Sequence, residues 1–329
     1  MASRKVGSVT YKRDLSSILT IFRLMPEAGS QFPPSSAGQY IALRRDDCKL
    51  TRKTGVGSDG KPTYGPALDE SGQQKIGPVT HSYSIASAPW EQEANGWLEF
   101  YVVLEVIKKD EVGRLSPVFL DLNPGTDDKI TYFDRITGNF SLDQRTAGYS
   151  SVLMVGTGTG LAPFIAMVKQ LHYEAGNGGG DGRKYTLLHT NRTYEELAYH
   201  EDLLEMERAA KFDFVYIPTV SRPTERDRDD DRLGTGRANN VLRDMFDLPM
   251  KEEEVLAEAR AGKGDLARAE AGMKRTPKPE LAKHLSVKTL RDRFDPAKTV
   301  IMTCGNTWSM ADIELTANRN NIKYEMEEW

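Results

Sequence analysis

The chain has few cysteines, no long apolar run and no strong charge of one sign, and each absence excludes a class of protein. Only Cys48 and Cys304 occur among 329 residues. An iron–sulfur cluster held by cysteines of this chain would need about four thiolates, so such a cluster is excluded. Two cysteines that are far apart in the sequence also favour a reducing, cytoplasmic location. The net charge of -4 argues against general nucleic-acid binding. No segment is long enough to cross a bilayer, and the first residues do not resemble a signal peptide. We therefore expect no resident metal, no nucleic acid and no membrane partner.

The hydrophobic pattern divides the chain into two halves. Before residue 148 it predicts strands at 6–14, 18–24, 40–44, 79–87, 98–106 and 129–133. Six such strands fit a small antiparallel barrel. The polar, Gly- and Lys-rich stretch 45–77 is predicted to be a long inserted loop.

After residue 148 the period changes to strand–helix alternation. Buried parallel strands are predicted at 151–155, 185–189, 212–220 and 299–303, with helices at 163–174, 194–211, 237–245 and 310–320. This order predicts a doubly wound sheet. The charged stretch 251–285 is expected to be a solvated helical insertion, with a docking element as the alternative.

The segment His81-Ser82-Tyr83-Ser84 places an aromatic ring beside a run of hydroxyls at the end of an alternating strand. A flavin stacks on a flat apolar surface, and its N5 edge takes a small hydrogen-bonding group. Packing of an edge strand would explain the same residues. The segment on its own leaves both interpretations open.

A glycine-rich turn, residues 156–163, follows the first strand of the second half. Backbone N–H groups at such a strand–helix turn suit a phosphate or pyrophosphate, and Pro163 marks the start of a helix. Leu161 stands where the third glycine of G-x-G-x-x-G would be, so a tight turn without a ligand remains the alternative.

Arginines follow three predicted strands or loops of the same sheet: Arg192, Arg222 and Arg237. An NAD-specific sheet often has an acidic residue at the end of its second strand, whereas a guanidinium there favours a phosphorylated ribose. The three arginines predict a phosphate clamp and hence NADP(H). Residues 226–231 are expected to be a solvated loop.

Cys304 ends the last predicted strand, where its thiol can lie against a bound nicotinamide as a small polarizable contact. A buried structural cysteine is the alternative. The final residues, Glu327, Glu328 and Trp329, bring two carboxylates and an indole that either packs as a plug or covers a ligand ring.

In their order along the chain, these residues resemble the ferredoxin–NADP reductase family, most closely its short bacterial members that end in tryptophan. The resemblance covers nearly the whole chain apart from the two insertions. The motifs that carry it are Gly38-Gln39-Tyr40, His81–Ser84 for R-x-Y-S, Phe100-Tyr101-Val102-Val103, Gly113-Arg114-Leu115-Ser116-Pro117 for G-x-L-S-P, Gly156–Pro163, and Cys304-Gly305-Asn306. One departure is His81 in place of arginine, a permanent phosphate ligand. Two consequences are open: FAD binds more weakly, or Arg114 or a residue of the 45–77 insertion substitutes for the arginine.

The resemblance implies a six-stranded antiparallel β-barrel binding FAD over residues 1–147, with insertion 45–77. It implies a doubly wound α/β domain binding NADP(H) over residues 148–329, with insertion 251–285. Ser84, Cys304 and Trp329 are implied to be catalytic: Ser84 near N5, Cys304 at the nicotinamide, and Trp329 over the flavin or its adenine. Tyr83 would stack on the flavin, and Thr159 would approach it from the second domain. The other implied cofactor-binding residues are His81, Ser82, Tyr101, Val102, Val103, Leu104, Arg114, Leu115, Ser116, Asn191, Arg192, Ser221, Arg222, Arg237, Gly305, Asn306 and Glu328.

The implied activity is that of a ferredoxin (or flavodoxin)–NADP+ reductase, in which hydride passes between NADPH and flavin N5. Single electrons would pass between the flavin and ferredoxin or flavodoxin. From position alone, Glu327 or Glu328 is expected to supply protons. One alternative is the reductase component of a dedicated oxygenase or other multicomponent system, docked through the insertions. A second alternative, of another class, is a non-catalytic flavin- or nucleotide-binding interaction protein.

Overall fold

The computed structural model describes residues 3–57, 62–108, 111–112 and 114–327. Two compact units divide the chain after Gly138, nine residues before the predicted domain boundary at 147/148. The predicted site residues Glu328 and Trp329 lie outside the described residues, as does Gly113 of the G-x-L-S-P-like loop.

The first unit consists mostly of strands, as the alternating pattern predicts. Its elements are β1 Arg4–Ser16, β2 Leu19–Met25, β3 Tyr40–Lys49, β4 Thr51–Val56, β5 Pro62–Pro66, β6 Ile76–Ser84, α1 Pro89–Asn95, β7 Leu98–Val103, β8 Val106–Lys108, β9 Glu111–Val112, α2 Ser116–Leu120 and β10 Lys129–Thr137.

Six of these strands form one antiparallel sheet in the order β6-β3-β10-β1-β2-β7. The two outer strands approach each other just beyond Ser84, where Ala86 N donates to Glu99 O over 2.8 Å. The two edges of the sheet thus meet at this point, and the predicted antiparallel barrel architecture is confirmed. The interior is filled by a buried cluster that includes Phe22, Phe100 and Phe119, whose rings pack with centroids 5.3 and 5.4 Å apart around Phe22.

The insertion at 45–77 contains strands and is not the long loop predicted. β3 continues to Lys49, and β4 pairs with β5 as an antiparallel hairpin. The hydroxyls of Thr54 and Thr63 lie 3.1 Å apart across that hairpin. Gly and Lys depress intrinsic strand preference, so the composition favoured a loop although cross-strand pairing stabilises this segment as a hairpin.

The second unit alternates strands with helices. Its elements are α3 Leu142–Arg145, β11 Ser151–Thr157, α4 Ala162–Gly176, β12 Lys184–Asn191, α5 His200–Ala209, β13 Phe214–Val220, α6 Glu225–Asp229, β14 Gly234–Thr235, α7 Ala238–Met245, α8 Lys251–Arg260, α9 Leu266–Arg275, α10 Val287–Arg291, β15 Thr299–Cys304, α11 Thr307–Arg319 and β16 Lys323–Met326.

These strands form a parallel sheet in the order β14-β13-β12-β11-β15-β16. The doubly wound prediction is confirmed. The chain runs from β11 toward β14 on one side and returns to β15 on the other, so the order reverses between β11 and β15. Ligands of such sheets bind beyond the carboxyl ends of the strands at this switch point.

Two local predictions in this unit are corrected. The predicted helix 194–211 is a short 3-10 turn followed by α5, because Tyr199 adopts a left-handed φ of 59°. The predicted solvated loop at 226–231 contains α6, which Thr224 caps by accepting a hydrogen bond from Asp227 N. Asp227 is buried, and Arg226 stacks on the Tyr194 ring at 3.3 Å.

Among the described residues, every helix is too short or too polar to cross a bilayer.

Candidate functional site

The predicted flavin-facing residues lie together at the end of β6. His81 and Ser82 are exposed, Tyr83 is half-buried and Ser84 is buried. The edge of the Tyr83 ring packs against Phe119 of α2, with the centroids 5.2 Å apart. This contact fixes the plane of the ring, and burial raises the pKa of the Tyr83 hydroxyl, so the phenol stays neutral.

The residues predicted on the far side of the flavin lie in the second half of β7 and directly after it. Tyr101 and Val102 are buried, and Val102 belongs to the hydrophobic core of the first unit. Val103 and Leu104 are half-buried, and Leu104 N donates to Ile18 O over 2.7 Å. The backbone at this end of β7 is thus held in place by β2 and its preceding turn.

The predicted pyrophosphate loop leads into α2. Ser116 is buried and its hydroxyl accepts a hydrogen bond from Glu105 N over 2.9 Å, while Leu115 is packed in the core. Arg114 is half-buried. Burial, followed by Asp47, raises the pKa of Cys48 to about 11, and the nearby positive charge of Arg114 acts in the opposite direction. Cys48 lies in β3, the strand that pairs with β6.

The glycine-rich turn of the second unit is tightly built. A short 3-10 turn, Gly158–Leu161, joins β11 to α4, and Pro163 stands in the first turn of that helix as predicted. A Cβ on Gly160 would lie 2.2 Å from the carbonyl oxygen of Cys304. Only glycine allows the turn to approach the end of β15 this closely. Thr159 is half-buried within the turn.

The loop after β15 packs against the same turn. Gly305 has a φ of +127°, and a Cβ there would lie 2.2 Å from Thr157 Oγ1. Asn306 N donates to Thr157 Oγ1 over 2.8 Å. The side chain of Asn306 caps α11 by accepting hydrogen bonds from Trp308 N and Ser309 N. The Asn306 carboxamide is thus used to cap α11. The backbones at the carboxyl ends of β11 and β15 lie side by side and form one continuous edge.

Cys304 has a carboxylate partner that its sequence position does not predict. Its Sγ donates to Glu327 Oε2 over 2.8 Å, and both side chains are buried. Burial, reinforced by the charge of Glu327, raises the pKa of Cys304 well above its ordinary value. The residue is therefore a protonated thiol, in keeping with a contact role and not with nucleophilic chemistry.

The three predicted arginines lie at one edge of the sheet. Asn191, Val220 and Thr235 are register partners on β12, β13 and β14. The alignment continues past the strands, because Ser221 N donates to Asn191 O and Arg222 N donates to Arg192 O, over 2.9 and 2.8 Å. Gly236 N donates to Val220 O over 3.0 Å, so Arg237 joins the row.

Two of these arginines are held by carboxylates. Arg192 forms a two-pronged ion pair with buried Glu196, with Nε 2.6 Å from Oε2. Arg237 Nη1 donates to Glu252 Oε1 over 2.8 Å. Glu196 and Glu252 are the main residues that sequence reasoning missed, since neither belongs to a motif.

The third arginine differs in its surroundings. Arg222 is exposed, and over the described ranges of the chain its side chain has no carboxylate within ion-pair distance. Ser221 Oγ donates to Asn191 O over 3.2 Å, and Asn191 in turn donates to Glu196 O over 2.6 Å. Asn191 and Ser221 thereby brace the loops that carry Arg192 and Arg222.

Comparison with known proteins agrees with these features. Residues 154–259 match the family described as Oxidoreductase NAD-binding domain. A ferredoxin–NADP reductase of Azotobacter vinelandii is 30% identical over 153 residues, which are 44% of this chain and 52% of that protein. The chain thus matches about half the length of this curated relative.

Solved structures share the fold over nearly the whole chain. A ferredoxin NADP+ reductase from Neisseria gonorrhoeae with bound FAD and NADP has a TM-score of 0.56 at 18% identity, covering 99% of both chains. A ferredoxin reductase in carbazole 1,9a-dioxygenase has a TM-score of 0.53 at 15% identity, covering 98% of this chain and 69% of that one.

An antiparallel barrel is followed by a doubly wound sheet with a glycine turn at its switch point, and strands β12, β13 and β14 of this second sheet lie in the part of the chain that matches an oxidoreductase NAD-binding domain. The chain is similar in sequence to a ferredoxin–NADP reductase over about half of that protein's length, and it shares the fold of a solved ferredoxin NADP+ reductase.

Proposed function

We propose that the chain is an FAD- and NADP(H)-dependent oxidoreductase that exchanges electrons between NADPH and a protein carrier, ferredoxin or flavodoxin. The observation that carries this proposal is the row of arginines at the carboxyl edge of the second unit's sheet. The row is set by hydrogen bonds between neighbouring backbones, so it is a built feature of the sheet. A coenzyme with a phosphorylated ribose supplies the negative charge that such a row binds.

The residues at the end of β6 fit a flavin nucleotide. The fixed ring of Tyr83 offers a stacking surface, and exposed His81 with half-buried Arg114 offers polar groups for a diphosphate. When bound, FAD would accept hydride from NADPH and release electrons singly to a carrier, a chemistry that belongs to the cofactor. The chain's own contribution is to bind and orient the group.

The second unit supplies a docking edge for the nicotinamide coenzyme. Gly160 and Gly305 allow the glycine-rich turn and the loop after β15 to approach each other closely at the switch point. The glycine-rich turn leads directly into α4. Backbone N–H groups at such a helix start favour the coenzyme's pyrophosphate. We propose that Arg192, Arg222 and Arg237 bind the 2′-phosphate, with Asn191 and Ser221 holding their loops.

Cys304 and Glu327 form the proton-holding element of the proposed site. The thiol carries its proton at Sγ, 2.8 Å from a carboxylate oxygen that is shielded from solvent. A neutral thiol at this position would offer a nicotinamide ring a small polarizable contact and would not act as a nucleophile. Glu327 is the carboxylate through which a proton would enter or leave.

Ferredoxin or flavodoxin is the proposed carrier, since the curated relative is a ferredoxin–NADP reductase. The reductase component of an oxygenase system is the second candidate, since the fold also matches the reductase in carbazole 1,9a-dioxygenase. A cytoplasmic location fits the two free, buried thiols of Cys48 and Cys304.

Purification in the presence of FAD tests the proposal. The protein should be yellow, and NADPH should bleach the flavin band under anaerobic conditions. Reoxidation by ferredoxin, flavodoxin or an oxygenase component then identifies the carrier. A colourless protein, or a yellow protein that NADPH leaves unbleached, would contradict the enzyme assignment.

A further inference from the structure

We propose that Glu252, on the helical insertion, determines how tightly the 2′-phosphate of the coenzyme is held, by acting through Arg237. This inference rests on the proposed function, because it presumes that Arg237 contributes to a phosphate clamp. Glu252 is a positioning residue in this scheme and does not itself touch the coenzyme. The insertion α8–α9 would then be the element that sets coenzyme selectivity in this chain.

Glu252 accepts hydrogen bonds from three residues: Arg237 and Asn240 at the start of α7, and Thr276 at the end of α9. Its Oε1 accepts from Arg237 Nη1 over 2.8 Å and from Thr276 Oγ1 over 3.2 Å, and its Oε2 accepts from Asn240 Nδ2 over 2.7 Å. The Glu252 side chain is 14% exposed, while that of Arg237 is 50% exposed. The carboxylate is therefore largely buried and fixed, whereas half of the Arg237 side chain is exposed.

The start of the insertion is bonded to α7, and its end is bonded to β14, the strand that precedes Arg237. At its start, Lys251 N donates to Asn240 Oδ1 over 2.9 Å. At its end, Thr235 and Glu280 exchange two backbone hydrogen bonds over 2.8 and 2.9 Å. Glu252 thus cannot move away from Arg237 without breaking its hydrogen bonds to Asn240 and Thr276, which hold α8 to α7 and to the end of α9.

The negative charge of Glu252 would affect the binding of NADP(H) more than the binding of NAD(H). Arg237 is already neutralised by a carboxylate, so a phosphate that binds it must share the guanidinium with a fixed negative charge. Repulsion between two anions a few ångströms apart weakens phosphate binding even where solvent screens it. A coenzyme without the 2′-phosphate does not experience this repulsion, so Glu252 changes the ratio of NADP(H) to NAD(H) affinity.

The test compares Glu252→Gln with Glu258→Gln, which removes the same charge from an exposed position of the same helix. Binding of 2′-AMP, 5′-AMP, NADP+ and NAD+ to the holoprotein is measured by calorimetry. Glu252→Gln should bind 2′-AMP and NADP+ about tenfold more tightly, with NAD+ unchanged. Glu258→Gln should match the wild type for all four ligands.

A double-mutant cycle separates this role from a purely structural one. In an Arg237→Met background, Glu252→Gln should no longer change the affinity for 2′-AMP. Thermal unfolding of each variant shows whether α8 stays docked.

Each remaining outcome overturns a different claim. In one outcome the wild type prefers 2′-AMP to 5′-AMP, but Glu252→Gln binds 2′-AMP no more tightly than the wild type does. This result would overturn the inference and leave the proposed function standing. A wild type that binds 2′-AMP no better than 5′-AMP would overturn the arginine clamp itself.

Discussion

Cys304 and Glu327 form a buried thiol–carboxylate pair, with Sγ 2.8 Å from Oε2. The register of the last two strands creates it: Thr303 is paired with Met326, and Glu327 N donates to Thr303 O over 3.0 Å. A carboxylate is thereby delivered to the carboxyl end of β15, at the switch point of the sheet. Two residues 23 positions apart in the chain thus act as one unit.

The first prediction concerns the chemical reactivity of the two cysteines. Both are buried, and burial raises the pKa of Cys48 to about 11 and that of Cys304 well above its ordinary value. Because the thiolate is the nucleophile, neither should react with iodoacetamide in the native protein at pH 8. Mass spectrometry should show two labels only after unfolding in urea; rapid labelling of the native protein would refute the assignment of buried neutral thiols.

The second prediction concerns proton supply by Glu327. Glu327→Gln keeps the shape of the side chain and removes its charge and proton affinity. We expect kcat for NADPH-dependent carrier reduction to fall about 100-fold, the low end for loss of a general acid or base. Glu314→Gln, an exposed change of the same charge, is the control. If kcat of Glu327→Gln equals that of the control, Glu327 does not transfer protons.

The third prediction concerns His81, the departure from the family's arginine. His81→Arg supplies a permanent cation at an exposed position of β6. A charge-assisted hydrogen bond to the FAD diphosphate should tighten binding about tenfold, equivalent to ~1.5 kcal/mol. Titration of the apoprotein with FAD measures the effect, and His284→Arg on the exposed surface of the second unit controls for added charge. Unchanged or weaker FAD affinity in His81→Arg would show that position 81 does not contact the diphosphate.

The fourth prediction concerns acid stability. His189 and His200 flank the hydroxyl of Tyr216, at 3.4 and 3.3 Å, and burial lowers their pKa values to about 3 and about 4. Unfolding restores an ordinary pKa near 6.5, so between pH 4 and 6.5 the unfolded chain binds more protons than the folded one. Stability should be intact above pH 6.5 and fall as the pH decreases below it.

The expected loss is about 2 kcal/mol per histidine between pH 7 and pH 5. Urea unfolding of the second unit across this range measures it. The variant His200→Gln should lose about half of the pH dependence. A free energy of unfolding that stays constant from pH 7 to pH 5 would mean that the two rings are not held neutral.

The fifth prediction concerns the close approach at Gly160. In Gly160→Ala the new methyl group would meet the carbonyl oxygen of Cys304, so the backbone of the turn must move. We expect a loss of ~1–3 kcal/mol in stability together with weaker NADP+ binding. Gly180→Ala, where a Cβ has nothing within 4 Å, should change neither. Equal behaviour of the two variants would remove Gly160 from the coenzyme site.

Much of the architecture is predictable because it depends on local periodicity. Alternating residues predict β1, β2 and β10, and apolar runs predict β11, β12 and β15. The row of arginines follows from the same pattern, since the carboxyl ends of parallel strands share an edge. The arrangement of Arg192, Arg222 and Arg237 along that edge could therefore be anticipated from their positions after the strands.

The features that were missed depend on contacts between distant segments. Glu252 meets Arg237 only because the insertion folds back on β14, and Glu327 meets Cys304 only through strand register. The hairpin β4–β5 was missed because its glycines and lysines carry little strand preference. The break before α5 depends on the left-handed backbone conformation of Tyr199. Glycine adopts this conformation readily, whereas a tyrosine in the sequence does not predict it.

The rate of flavin reduction by the two nicotinamide coenzymes tests the central claim most directly. The FAD-loaded protein is mixed anaerobically with NADPH or NADH in a stopped-flow instrument, and bleaching of the flavin band is followed at several coenzyme concentrations. The account predicts saturable reduction by NADPH, with NADH at least tenfold less efficient because it lacks the phosphate that Arg192, Arg222 and Arg237 would bind. Equal efficiency of NADH and NADPH, or no reduction by either, would contradict it.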